Sequence, residues 1–196
     1  MHIDVRPVAC LAATLLLNAC SIFAEEKQSR DDAGHPPADA CPRSECRVWP
    51  DYGDLGMVES AAFLSVGRPP ISWAAHIPGD CDPQSVYLQM ELVDGRGAFT
   101  EGIRPGMYPL EEIDLDTDTC SICLYLVADN LSEDARCFFA TAGVLNLSST
   151  EERLVGSLDA ITYQQISCLE SPPVEGSCAT RIGHLEFDTE IGSIEN

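Results

Sequence analysis

The chain has 196 residues, of which 32 are Asp or Glu and 11 are Lys or Arg, for a formal charge of −21. A chain this acidic is repelled by phosphate backbones, so nucleic acid is a poor candidate partner. Lys27 is its one lysine, and solubility accounts for the charge without a cationic ligand.

Val8 to Leu17 is apolar apart from Thr14. That is long enough for the hydrophobic region of a signal peptide and too short to span a bilayer as a helix. The run ends in Leu17-Asn18-Ala19-Cys20, which resembles the lipobox of bacterial lipoproteins, with Leu at −3, a small residue at −1 and Cys at +1. The resemblance implies that residues 1–19 are a signal peptide, that Cys20 carries a diacylglycerol through its thiol, and that cleavage leaves Cys20 N-terminal. The acyl chains would bury methylene groups at about 0.8 kcal/mol each, enough to anchor the protein to a membrane. Ser21 resembles the outer-membrane sorting pattern. The alternative is an ordinary signal peptide cut after Ala24, releasing a soluble secreted protein. Removing residues 1–19 takes away Asp4 and Arg6 together, so the mature chain keeps the full charge.

Residues 20–40 hold Glu25, Glu26, Asp31, Asp32, Pro36 and Pro37 and little that could enter a core. This segment reads as a flexible acidic linker that follows the lipidated Cys20. Residues 41–196 are one domain's worth of chain, without a detectable internal repeat.

Eight cysteines fall in that domain: Cys41, Cys46, Cys81, Cys120, Cys123, Cys137, Cys168 and Cys178. An even number in an exported domain points to disulfides. Spacing suggests Cys168 with Cys178 across the intervening Pro-rich loop, and Cys120 or Cys123 with Cys137. Cys41, Cys46 and Cys81 would then share the N-terminal part and take the remaining partner from the Cys120/Cys123 pair. A redox CxxC opens a helix beside a βαβ unit, and Cys120-Ser121-Ile122-Cys123 has strand-like flanks instead. A zinc half-site would need a second pair at short spacing, where only Cys137 offers itself. A structural disulfide is the favoured reading.

Alternation with period two dominates the domain. Ile71, Trp73, Ala75 and Ile77 share one face, and Val86, Leu88, Met90 and Leu92 repeat the pattern, as half-buried strands do. Ile122 to Val127 is apolar on both faces, which suits a central strand, and Cys137 to Leu147 is similarly apolar with Gly143 inside it. Val144 to Ser148 and Arg153 to Tyr163 flank Ser149-Thr150-Glu151-Glu152, a polar hairpin turn. Arg181 to Ile191 closes the set, with Leu185, Phe187 and Ile191 on one side and His184, Glu186, Asp188 and Glu190 on the other. The expected fold is all-β: an antiparallel sandwich or barrel of eight or nine strands, stapled by disulfides.

Cys120-Ser121-Ile122-Cys123-Leu124, Cys137-Phe138-Phe139-Ala140, Gly143-Val144-Leu145-Asn146-Leu147 and Gly156-Ser157-Leu158 together resemble cysteine-rich lipoproteins of myxobacteria and their relatives. The likeness covers roughly residues 90 to 190. Its motifs are structural, and no activity or functional residue follows from it.

Asp114, Asp116 and Asp118 alternate in a way that could gather carboxylates around calcium. An EF-hand loop from Asp114 needs Gly at 119 and Glu at 125, where Thr119 and Tyr125 stand, so only an irregular loop site remains against a solvated acidic strand edge. His76 and His184 lie on polar strand faces. The chain has no Gly-x-Ser-x-Gly elbow, His-Glu-x-x-His or phosphate-cradling glycine loop, and Ser157 follows Gly156 inside a strand pattern without a sharp turn to expose it. Trp49, Tyr52, Trp73, Tyr108 and Tyr125 could serve a sugar- or peptide-binding face or simply pack. Asn130 and Asn146 match the glycosylation sequon, which carries no weight in bacterial export.

The sequence therefore points to a non-catalytic, lipid-anchored protein of the cell envelope, with no cofactor and a protein or glycan as ligand. A calcium-dependent binding module and a hydrolase with a spatially assembled site are the alternatives from other classes.

Overall fold

A computed structural model describes residues 46–65, 70–77, 86–110, 119–129, 135–168 and 178–194. Cys20, the linker, Cys41, Cys81, Asp114, Asp116 and Asp118 lie outside these residues, and all of the described residues belong to one compact unit, 36–196. Nine strands follow in chain order: β1 (Asp54–Met57), β2 (Ser60–Ser65), β3 (Pro70–His76), β4 (Val86–Val93), β5 (Gly106–Pro109), β6 (Ile122–Ala128), β7 (Arg136–Thr150), β8 (Arg153–Ile166) and β9 (Ala179–Ile194). A single 3-10 turn, Gly97–Phe99, is the only helical element among the described residues.

Seven of the strands close into a barrel in the order β2-β3-β4-β6-β7-β8-β9. Between sandwich and barrel, the chain takes the barrel. Its neighbours are antiparallel except at the seam, where β9 runs parallel to β2. The two outer strands attach in series with barrel strands: β1 lies parallel on β9 beside β2, and β5 lies antiparallel on β7 beside β6.

The alternating sequence explains the lumen. Ile71, Trp73 and Ala75 of β3, Val86, Leu88, Met90 and Leu92 of β4, and Ile122, Leu124 and Leu126 of β6 are buried and pack as one cluster with Phe138, Leu158, Tyr163 and Phe187. The lumen is thus filled by side chains, as in other small barrels. β6 is apolar on both faces because its outer side is covered too: Cys120 and Cys123 pack there with Phe139, Ile166 and Tyr125.

The long strands depart from strict alternation at a common level. Buried positions run Phe138, Ala140, then Leu145 in β7; Leu154, Leu158, then Ile161, Tyr163 in β8; and Thr180, Ile182, then Leu185, Phe187 in β9. Each strand slips by one residue, as at a β-bulge. The slip passes through Gly143 at φ +143°, Ala160 at φ +52° and Gly183. A side chain on Gly143 would collide with Ile161, which explains the glycine that interrupts this apolar run. Cys137–Leu147 and Val144–Ser148 belong to one continuous strand, β7, and the turn expected over Ser149, Thr150, Glu151 and Glu152 shrinks to Glu151 and Glu152.

Among the described residues, disulfides join Cys46 to Cys178, Cys120 to Cys123 and Cys137 to Cys168. These correct the pairings expected from spacing. Cys168 does not close its loop onto Cys178, because β8 carries it past β9 to the start of β7, where Cys137 stands opposite Ile166. Cys178 instead meets Cys46, because residues 50–53 run along β9, with Arg181 donating to Pro50 and Gly183 to Gly53. Cys120 and Cys123 bond each other across two residues, rather than one of them bonding Cys137. Disulfides stapling the barrel accord with the expected fold class.

Candidate functional site

The densest group of titratable and polar side chains among the described residues lies on the outside of β7, β8 and β9, just beyond the slip in alternation. Antiparallel register places Asn146 opposite Ser157, Ser157 opposite Glu186, and Asp159 opposite His184. Residues two apart on a strand share a face, so Ser157 with Asp159 and His184 with Glu186 form one patch.

Asp159 is the hub. His184 Nδ1 donates to Asp159 Oδ1 at 2.6 Å, while Ser157 Oγ and Asn146 Nδ2 donate to Oδ2 at 2.8 and 2.6 Å. Asn146 Nδ2 also reaches Ser157 Oγ at 3.2 Å, and His184 Nε2 lies 3.5 Å from Glu186 Oε1. Desolvation pushes the Asp159 carboxyl up, but the three hydrogen bonds outweigh it and hold the group below its ordinary range. The same bond to Asp159 raises His184 against its own desolvation, and Glu186 and the neighbouring Asp54 add to the rise. The imidazole is stabilised as a cation between carboxylates.

This wiring decides what the group can do. In a nucleophile relay the imidazole stands between hydroxyl and carboxylate, so that it can take the hydroxyl proton. Here the carboxylate stands between them, and the Ser157 proton points at Asp159. The cluster is built to hold fixed charges and donors at a surface, with Asp159 and His184 side chains still about a third exposed, at 36% and 32%.

The other residues singled out from the sequence do not gather. His76 stacks on Tyr87, with ring centroids 4.0 Å apart, on the outside of β3 and β4. Trp73 is inside the lumen against Phe187, Tyr125 is outside on Phe139, and Tyr108 packs edge-on to Phe99 while donating to the Arg104 carbonyl. Trp49 and Tyr52 lie beside β9, where Thr180 donates to the Trp49 carbonyl. The five aromatics therefore form no common binding face. Among the described residues, no three His, Cys, Asp or Glu side chains gather as a metal site.

Sequence reading noticed Ser157 and His184 but missed Asp159 and Asn146 as their partners. The available signal was the period-two spacing of Ser157 with Asp159 and of His184 with Glu186. The chain matches no family model, none of the curated proteins and no solved structure.

Proposed function

We propose that this chain is a lipid-anchored protein of the bacterial cell envelope that acts by binding or as a structural element, without catalysis of its own. Cys20 is the lipidated residue in this reading, and the barrel is the displayed body. The observation that carries it is the set of three disulfides among the described residues, two of which tie together segments distant in sequence. Such bonds persist in oxidising, extracytoplasmic compartments and are rare where glutathione keeps thiols reduced. The carboxylate-centred wiring around Asp159 favours a binding surface over a nucleophile.

Metabolic labelling with palmitate, followed by mass analysis of the mature N-terminus, tests the reading. Label on the wild-type chain, absent from Cys20→Ala, with an N-terminus that begins at residue 20, supports it. An unlipidated N-terminus at residue 25 makes the chain a soluble secreted protein and overturns the anchor. Unprocessed protein with free thiols overturns export altogether.

A further inference from the structure

The outer sides of five adjacent strands, β5, β7, β8, β9 and β1, carry one continuous rung of side chains. Met107 pairs with Asn146, Asn146 with Ser157, Ser157 with Glu186, and Glu186 with Met57. Cross-strand partners share a face, so the rung crosses the wall from edge to edge. Its two ends are the large hydrophobic side chains most exposed among the described residues, Met107 at 73% and Met57 at 60%. Four strand spacings separate them, about 19 Å.

Between these apolar ends the face is polar and negative. The next rung brings Asp159, His184 and Asp54 into line, and Asp188 and Glu190 continue the outward row of β9. Of the cations on this face, Arg153 is already engaged by Asp188 and Glu190, and His184 by Asp159 and Glu186. The carboxylates outnumber them, on a chain whose overall charge of −21 steers cations toward it.

We infer that this face docks an extended cationic segment of a partner polypeptide, laid along the rung across the strands. The inference rests on the binding role proposed above and names its partner class. An extended chain advances about 3.3 Å per residue, so 19 Å is roughly six residues, and positions i and i+6 point the same way. Two apolar side chains at that spacing seat on the methionines, whose flexible thioethers accept varied shapes. Counted from the Met107 end, lysine or arginine at i+4 then stands over Glu186, and one at i+2 stands between Asn146 and Ser157, within side-chain reach of Asp159. The hydrogen bonds around Asp159 hold the centre of the face in place before the partner arrives, which lowers the ordering cost of binding.

The test uses the full mature chain with its disulfides intact and two blocked heptapeptides, titrated at physiological salt. Leu-Ser-Lys-Ser-Lys-Ser-Leu has the inferred spacing; Lys-Ser-Leu-Ser-Leu-Ser-Lys has the same charge and an altered order of side chains. The first is expected to bind about tenfold tighter than the second, a difference of about 1.4 kcal/mol. The pair Met57→Ser with Met107→Ser should abolish that preference, and Glu186→Gln should weaken both peptides by several fold. Glu91→Gln, on β4 across the barrel from β8, should change neither. Equal binding of the two peptides, or a preference that survives loss of both methionines, overturns the inference and leaves only non-specific charge attraction. A glucosamine oligomer that binds in a Glu186-dependent way where the heptapeptides do not would replace polypeptide with polysaccharide. Lipidation at Cys20 is read separately, so either result stands without the other.

Discussion

Gly156 faces Phe187 across the β8–β9 pair, and a β-carbon on that glycine would stand 2.9 Å from the Phe187 ring and closer still to the Asn146 carbonyl. The ring thus fills the space that any other residue would claim, and from there it packs on Trp73, with centroids 5.1 Å apart. Trp73 and Phe187 are both essentially inaccessible to water, so neither can yield without disturbing the lumen. Close-packed interiors tolerate overfilling poorly.

Gly156→Ala should therefore destabilise the barrel by about 2 kcal/mol or more. Urea denaturation followed by tryptophan fluorescence measures this directly, since Trp73 reports the same packing. Removing the ring instead, by Phe187→Ala, should cost about 3 to 5 kcal/mol. An alanine at position 156 that left the midpoint unchanged would show that neither the Asn146 carbonyl nor the Phe187 ring occupies this space.

Ala160 calls for the opposite substitution. It sits at φ +52°, where its β-carbon crowds the backbone, and left-handed conformations cost non-glycine residues about 1 to 2 kcal/mol. Its side chain is exposed and contributes little packing. Ala160→Gly relieves the crowding while freeing the unfolded chain, a smaller opposing effect of up to about 1 kcal/mol. The expected net is a gain of up to about 1 kcal/mol, read as a higher melting temperature. A clear loss of stability would argue against the left-handed turn in β8.

The Asp159–His184 pair gives stability a defined pH dependence. Because the folded state raises the His184 value, its contribution is fully present below the unfolded value near 6.5 and is lost as pH rises through the folded value. The lowered Asp159 value contributes above the ordinary carboxyl range and is lost as pH falls through the lowered folded value. The pair is therefore fully engaged between about pH 4 and 6.5. The two side chains are about a third exposed, so solvent limits the gain to about 1 kcal/mol or less. The urea midpoint of wild type should exceed that of His184→Gln by more at pH 5.5 than at pH 9. An equal difference at both values would mean that the ion pair contributes nothing, and comparing the two chains at each pH cancels the general effect of their acidity.

The parts of this architecture legible in the sequence are those set by local period. Ile71 to Ile77 and Val86 to Leu92 face inward as their alternation requires, and the two-sided apolar run of β6 lies centrally between β4 and β7. What escaped were relations between segments far apart in the chain. The parallel course of residues 50–53 beside β9 leaves no mark in either segment, so neither the Cys46–Cys178 bond nor the placement of Asp54 beside His184 could be read locally. The slip at Gly143, Ala160 and Gly183 shifts the side facing the core by one residue, and strict alternation carried past it misassigns the later half of a strand. Asp159 was missed for the same reason: its importance lies in a register with Asn146 and His184 that only the closed barrel defines.

The corrected disulfides differ in what they should contribute. Restricting the unfolded chain is worth more for longer loops: about 2 kcal/mol for the tight Cys120–Cys123 bond, roughly 4 for Cys137–Cys168 and roughly 5 for Cys46–Cys178. Cys46–Cys178 also holds the chain leading to β1 against β9, spanning 132 positions of sequence. Replacing Cys46 and Cys178 together by serine, both partly exposed, should lower the urea midpoint most. The Cys120 and Cys123 pair is buried at 1% and 4% in an apolar cluster, so its fair test is replacement by alanine and valine, which avoids burying hydroxyls. The expected order is a larger loss for the first pair than for the second. If the short bond proved the more costly to remove, its packing against Phe139 and Ile166, and not loop closure, would be the main source of its stability.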